Sequence, residues 1–203
     1  MKFILGKKVA MTQMFDAEGH RIPVTIVSAP PCVITQVKGM DAHGYTAIQV
    51  GTGFSKRLNK SLQGHFKGLG SFRSVREFRV APDQMNAFER GKTIDLGWFE
   101  TGEYVDVVGI SKGRGFQGVV KRHGFKGSPA THGHKDQLRH SGSIGAGGVA
   151  RVPKGRRMGG RMGGDRVTAK NLKIMNIDRE QGMVWLSGAV PGSRGSVVAI
   201  RAA

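Results

Sequence analysis

The feature that most limits what this chain can become is the stretch from Ser111 to Arg166. In these 56 residues thirteen Lys or Arg stand against two acids, Asp136 and Asp165, and fifteen positions are glycine. Phe116 and Phe125 are its only aromatic residues. Such a segment cannot assemble a core of its own, because glycine brings nothing to bury and like charges repel one another. It holds +11 of the formal +18, while the other 147 residues share +7. A long coil of this kind inside a folded chain is either functional or disordered. Its one-sided charge predicts a polyanion as the partner that orders it, since solvated surfaces ordinarily mix signs.

Either side of the stretch, the pattern changes to short β-branched runs punctuated by turn residues, the mark of an all-β body. Expected strands are Val24 to Val27, Cys32 to Lys38, Thr46 to Gly51, Val75 to Val80, Tyr104 to Ile110, Arg166 to Ile177, Met183 to Ser187 and Ser196 to Arg201. Several alternate with period two, which predicts a dry face carrying Phe78, Val80, Val105, Val107, Val167 and Ala169. The wet face would carry Glu77, Arg79, Tyr104, Asp106, Thr168 and Lys170. Asp178 to Gly182 reads as a hairpin loop. Helical periodicity is confined to Val119 to His123 and to Asp83 to Arg90, the second opened by Pro82 and closed by Gly91. The expected fold is mainly β: a barrel body made of residues 1–110 and 166–203, interrupted by a long irregular basic excursion over 111–165, with few short helices.

Composition also excludes classes. One cysteine, Cys32, rules out an intramolecular disulfide and any Cys-rich zinc module. It reads as a small buried hydrophobe at a strand start. No run approaches the ~18 apolar residues of a membrane span. The opening Met1 to Lys8 carries an apolar run too short for a secretory leader, so the expectation is a cytoplasmic protein.

Each Lys or Arg set on a phosphate releases counterions, the sequence-independent source of much nucleic-acid affinity. Glycine lets the backbone approach closely and adopt positive φ along an irregular surface. Arg151 to Met162 combines both, and no periodic basic helix is present to enter a DNA groove, so folded RNA is the better fit. A general nucleic-acid-binding protein of nucleoid type is the alternative that charge alone allows. A flavin or nicotinamide enzyme on a similar barrel is a third. Gly113-Arg114-Gly115-Phe116-Gln117-Gly118 is a literal G-x-G-x-x-G, but no βαβ unit accompanies it, and Asp136, near the offset of a ribose-binding acid, sits among His132, His134, Lys135 and Arg139 in a stretch with no second-strand pattern. His123, His132, His134 and His140 lack the spacing of a zinc site. No catalytic residues, metal ligands or cofactor are expected, and neither a membrane nor a small-molecule substrate is expected as partner.

The chain resembles, over essentially its whole length, the bacterial family of large-subunit ribosomal protein three. The resemblance rests on Gly6 to Phe15 followed by Pro23-Val24-Thr25, on Gly44 to Val50, and on Gly64-His65-Phe66. Its most specific part runs through Phe99, Asp106, Gly109, Ser111, Gly113-Arg114-Gly115, Gly118 and Arg122. Ala130-Thr131-His132-Gly133, Gly142 to Gly145, Lys154 to Met158, Arg166-Val167-Thr168 and Gly188 to Gly192 extend it. It implies a six-stranded barrel of the translation-protein type, and an extension that threads between RNA helices toward the peptidyl-transferase centre. It further implies binding of 23S rRNA near its 3′ end, nucleation of assembly, contacts with large-subunit proteins fourteen and nineteen, and no enzymatic activity. On this basis the expected RNA contacts are Lys7, Lys8, Lys112, Arg114, Lys121, Arg122, Lys126, Lys135, Arg139, Arg151, Lys154, Arg156, Arg157, Arg161 and Arg166, with His132 on a base or sugar. Gly145, Ala146, Gly147 and Gly148 form the expected tip. Ala146-Gly147-Gly148-Val149 stands where family members often carry a glutamine, methylated in some, so no such modification is expected. Ala10 replaces a usual Gly, and His123 stands where an aromatic residue, commonly Trp, is usual.

Overall fold

The computed structural model describes residues 1–203. The chain divides into two compact units, Met1–Ile110 with Arg166–Ala203, and Ser111–Asp165. In the first unit, strands β1 (Phe3–Phe15), β2 (Arg21–Ser28), β3 (Cys32–Lys38), β4 (Ala47–Phe54), β5 (Phe72–Arg79) and β6 (Thr93–Ile94) come first. Helices α1 (Met40–His43) and α2 (Lys60–His65) lie among them, and β7 (Tyr104–Ile110) follows. The second unit contains β8 (Phe116–Gln117), α3 (Val119–His123) and β9 (Gly160–Arg161). The chain then re-enters the first unit with β10 (Arg166–Asp178), β11 (Met183–Ser187) and β12 (Val197–Ala202).

Six strands close a barrel in the order β1-β12-β7-β10-β11-β2, every pair antiparallel. Bulges at Lys8/Ala10, Ala169/Leu172 and Ile174/Asn176 interrupt the registers of its long strands. Each adds local twist and bend, which closing so small a sheet requires. The expected hairpin is present: Asp178 pairs Met183, Gly182 turns at φ 63, and the Gln181 N–H donates to the Asp178 carboxylate at 2.9 Å.

Three of the runs expected in the barrel lie elsewhere. Cys32–Lys38, Ala47–Phe54 and Phe72–Arg79 form a separate sheet in the order β5-β4-β3-β6. Barrel and sheet share one apolar core within the first unit. Phe3 of β1 stacks on Phe78 of β5 with centroids 4.4 Å apart, and on Phe88 at 5.6 Å. This arrangement also explains why β1, the opening strand, gives no period-two signal. Phe3, Ile4, Leu5 and Gly6 are all buried, so the strand is covered on both faces there and reads as a continuous apolar run.

Two further expectations are corrected. The helix expected over Asp83 to Arg90 is a 3-10 turn, Pro82–Ala87, which stops because Phe88 returns to extended backbone to bury its ring against Phe3. Val167, expected on a dry face, is 42% exposed. The first half of β10 pairs with β7 alone, and pairing with β11 begins only at Ile174. Cys32 is fully buried, and burial pushes its thiol pKa up.

Candidate nucleic-acid interface

In the second unit, the departing and returning segments of the chain are tied together. The Ser111 N–H donates to Asp165 O at 2.8 Å, and the Asp165 N–H donates to the Ser111 hydroxyl at 3.2 Å. The Arg114 N–H donates to Met162 O at 2.9 Å, and the Met162 N–H to Gly115 O at 3.0 Å. β8 and β9 pair antiparallel, Phe116 opposite Arg161. α3 follows with Gly124 as its left-handed C-cap. From α3, the Arg122 guanidinium donates to Met158 O at 2.8 Å, and Nε2 of His123 meets the same oxygen at 3.0 Å. Gly163, at φ 76, is required here: a Cβ would fall on the backbone carbonyl of Lys112. α3 lies where the sequence predicts it, whereas the β8–β9 pairing has no sequence signal, because two-residue strands in glycine-rich sequence leave no periodicity.

Beyond this frame, residues 126–157 are held by turns. The Ser128 N–H donates to Leu138 O at 3.2 Å, the Ser143 hydroxyl to Gly145 O at 2.8 Å, and the Arg156 guanidinium to Ser143 O. Val119 is the only buried apolar residue of the unit. Gly145, Ala146, Gly147 and Gly148 are exposed in a turn, in which the Val149 N–H reaches Ala146 O at 3.4 Å. His132 is exposed and takes φ 60, followed by Gly133 at φ 82. That left-handed conformation is uncommon for a non-glycine residue.

The expected basic contacts separate clearly. Lys112, Arg114, Lys121, Arg122, Lys126, Lys135, Arg139, Arg151, Lys154, Arg156, Arg157 and Arg161 are all exposed, and none pairs with a carboxylate. The chain's ion pairs lie in the first unit: Lys2–Glu103, His20 with Asp16 and Glu18, Lys38–Glu77 and Arg201–Asp106. Lys7 and Arg166, also in the first unit, are exposed. Lys8 is a correction. It is 7% exposed, and its ammonium donates to Val190 O at 2.6 Å and Gly192 O at 3.4 Å, so it is turned inward rather than offered to a phosphate. The closed barrel reverses what a Lys-Lys pair suggests, since neighbouring strand residues point to opposite faces.

The first unit has a basic feature with no local signal in the sequence. A cavity of about 630 Å³ is lined by Arg76, Arg79, Arg166 and Arg201, with Tyr45 and Phe78. Arg79 lies over the Tyr45 ring, 5.3 Å from its centroid. Arg201 is committed to Asp106 at 2.9 Å. Asp106, expected on a wet face, is in fact 7% exposed, because it also accepts the N–H of Asn171 at 3.2 Å. Asn171 takes φ 55 within the β10 bulge, a conformation that asparagine tolerates. The Arg201 guanidinium, aided by Asn171, holds the Asp106 carboxyl below the usual range despite partial desolvation. Around Glu77, burial pushes the carboxyl up, but hydrogen bonds from Lys38, Tyr45 and Gln49 outweigh it and hold the pKa down. The bond to Glu77 raises Lys38 in turn.

A family profile described as Ribosomal protein L3 matches residues 74–183, which include the whole basic unit and its flanking strands. The chain belongs to the ribosomal protein L3 family. Named relatives extend the likeness to nearly full length. Large ribosomal subunit protein uL3 of Desulfitobacterium hafniense (strain Y51) is 50% identical over 98% of this chain and 95% of its own length. The uL3 of Finegoldia magna is 46% identical over 100% of this chain and 98% of its own. That of Herpetosiphon aurantiacus is 48% identical over 97% and 94%. L3 proteins are structural, not enzymes, and the six-stranded barrel expected from the family resemblance is the one observed.

Proposed function

We propose that this chain is a structural constituent of the large ribosomal subunit in the bacterial cytoplasm, and that its Ser111–Asp165 unit is an rRNA-penetrating loop. The observation that carries this reading is the loop's charge: twelve exposed Lys and Arg without one carboxylate partner, on a segment with a single buried apolar residue. Unpaired cations on an open backbone match the phosphates of folded RNA, whose irregular crevices accept such a chain. Membership of the L3 family supports 23S rRNA as the ligand, bound near its 3′ end early enough to nucleate assembly. The tip, Gly145 to Gly148, reaches toward the peptidyl-transferase centre, where the peptide transfer itself is RNA chemistry. Large-subunit proteins fourteen and nineteen are the neighbouring proteins on this reading, and the tip carries no methylated glutamine.

Co-sedimentation with large subunits in a sucrose gradient, followed by titration of the purified chain with a transcript of the 3′ domain of 23S rRNA, tests the reading. Duplex DNA at matched salt is the control. Preference for the transcript supports the reading. Equal affinity for DNA would favour a nucleoid-type protein instead.

A further inference from the structure

Phe116 has no place among the charged contacts, yet its surroundings are unusual. It is 80% exposed, more than any other large apolar side chain of the molecule. It stands on the most firmly tied part of its unit, where β8 pairs β9 and the Arg114 and Met162 amides close bonds on either side. Arg161 lies directly opposite it in the pairing, and Arg114 precedes it by two residues. One edge of the ring lies beside Gly159, where a Cβ would come within 3.3 Å of Cε1 and 3.5 Å of Cζ. A second guanidinium, that of Arg122, packs over Gly160. Glycine at 159 therefore leaves room for the Phe116 ring, and glycine at 160 for the Arg122 guanidinium.

We propose that Phe116 is a stacking platform for one unpaired nucleobase, with Arg114 and Arg161 holding the phosphates beside it. An aromatic face binds any base, and the flanking cations supply the backbone charge that the base brings with it. A protein partner fits less well, because an apolar side chain seated here would bring no charge to answer Arg114 and Arg161, which are exposed and pair with no carboxylate. The platform rests on the RNA-binding reading above and adds to it a contact that does not depend on charge.

The full-length chain is titrated with the 23S 3′-domain transcript, and separately with a fully paired RNA duplex. Phe116→Leu weakens transcript binding about tenfold and leaves both the salt slope and the affinity for duplex unchanged, because no charge is lost and a paired base cannot stack. Phe116→Trp keeps the affinity, and its added emission, above that of Trp98 and Trp185, is quenched on binding. The exposed ring makes few folding contacts, and unchanged amide exchange at Arg114 and Met162 verifies that the frame persists. Transcript affinity of Phe116→Leu within twofold of the parent, or Trp emission unchanged at saturation, overturns the platform while leaving the RNA reading intact. Absence of salt-dependent transcript binding by the parent chain overturns both.

Discussion

Neutralising Lys135, Arg139, Arg151 and Lys154 together is the sharpest test of the charge argument. All four are exposed, and none of their side chains makes a hydrogen bond or ion pair within the chain, so Gln at each removes charge and little else. If the twelve cations of the loop each neutralise one phosphate, log K against log salt has a slope of about −8 to −11, set by ~0.7 to ~0.9 counterions released per contact. The fourfold variant then loses about 3 to 4 from that magnitude. Fluorescence anisotropy with the 3′-domain transcript at a series of KCl concentrations reads the slope directly. The melting temperature stays that of the parent, because no buried group is touched. A slope unchanged in the fourfold variant would refute the claim that these cations meet phosphates. A slope that falls together with the melting temperature would show instead that they support the fold.

Other expectations separate the two units. Gly163→Ala forces a Cβ onto the Lys112 carbonyl at positive φ, at a cost of about 1–2 kcal/mol, so hydrogen exchange at the Arg114 and Met162 amides accelerates while the barrel amides keep their protection. Lys8→Met leaves the Val190 and Gly192 carbonyls without their ammonium donor and costs about 1–3 kcal/mol, seen as a lower urea midpoint, with the RNA salt slope unaltered. The Asp106 carboxyl is held below its ordinary pKa, so its stabilisation is present above about pH 4 and is lost as pH falls through the lowered folded value. Asp106→Asn removes that acid-side loss and costs roughly 1–2 kcal/mol at neutral pH, discounted because Arg201 is 42% exposed and screened by solvent. An acid limb of the stability curve unchanged in this variant would assign the loss to other carboxylates.

Much of this was legible in the residues because the signals were local. Glycine and charge density set the basic loop apart, period-two alternation marked β7 and part of β5, and Gly118 to Gly124 bounded α3. Signals that depend on what lies opposite failed. β1 hid its strand character because it is buried on both faces, and Val167 looked like a core residue but has no second neighbouring strand there. Lys7 and Lys8 read as a matched pair and face opposite ways.

By itself the sequence determined that the chain is mainly β and that it carries a basic segment unable to form a core, whose one-sided charge points to a polyanion. Local pattern suffices for the first, and composition for the others, since a segment so rich in glycine and like charge has too little apolar surface to bury whatever its path. Tertiary structure decided which strands close the barrel and which form the second sheet. It turned Lys8 inward, buried Asp106 between Arg201 and Asn171, and placed Phe116 opposite Arg161 on a tied frame. Those outcomes depend on pairing between residues far apart in the chain, and no local propensity encodes what a side chain will meet across a strand.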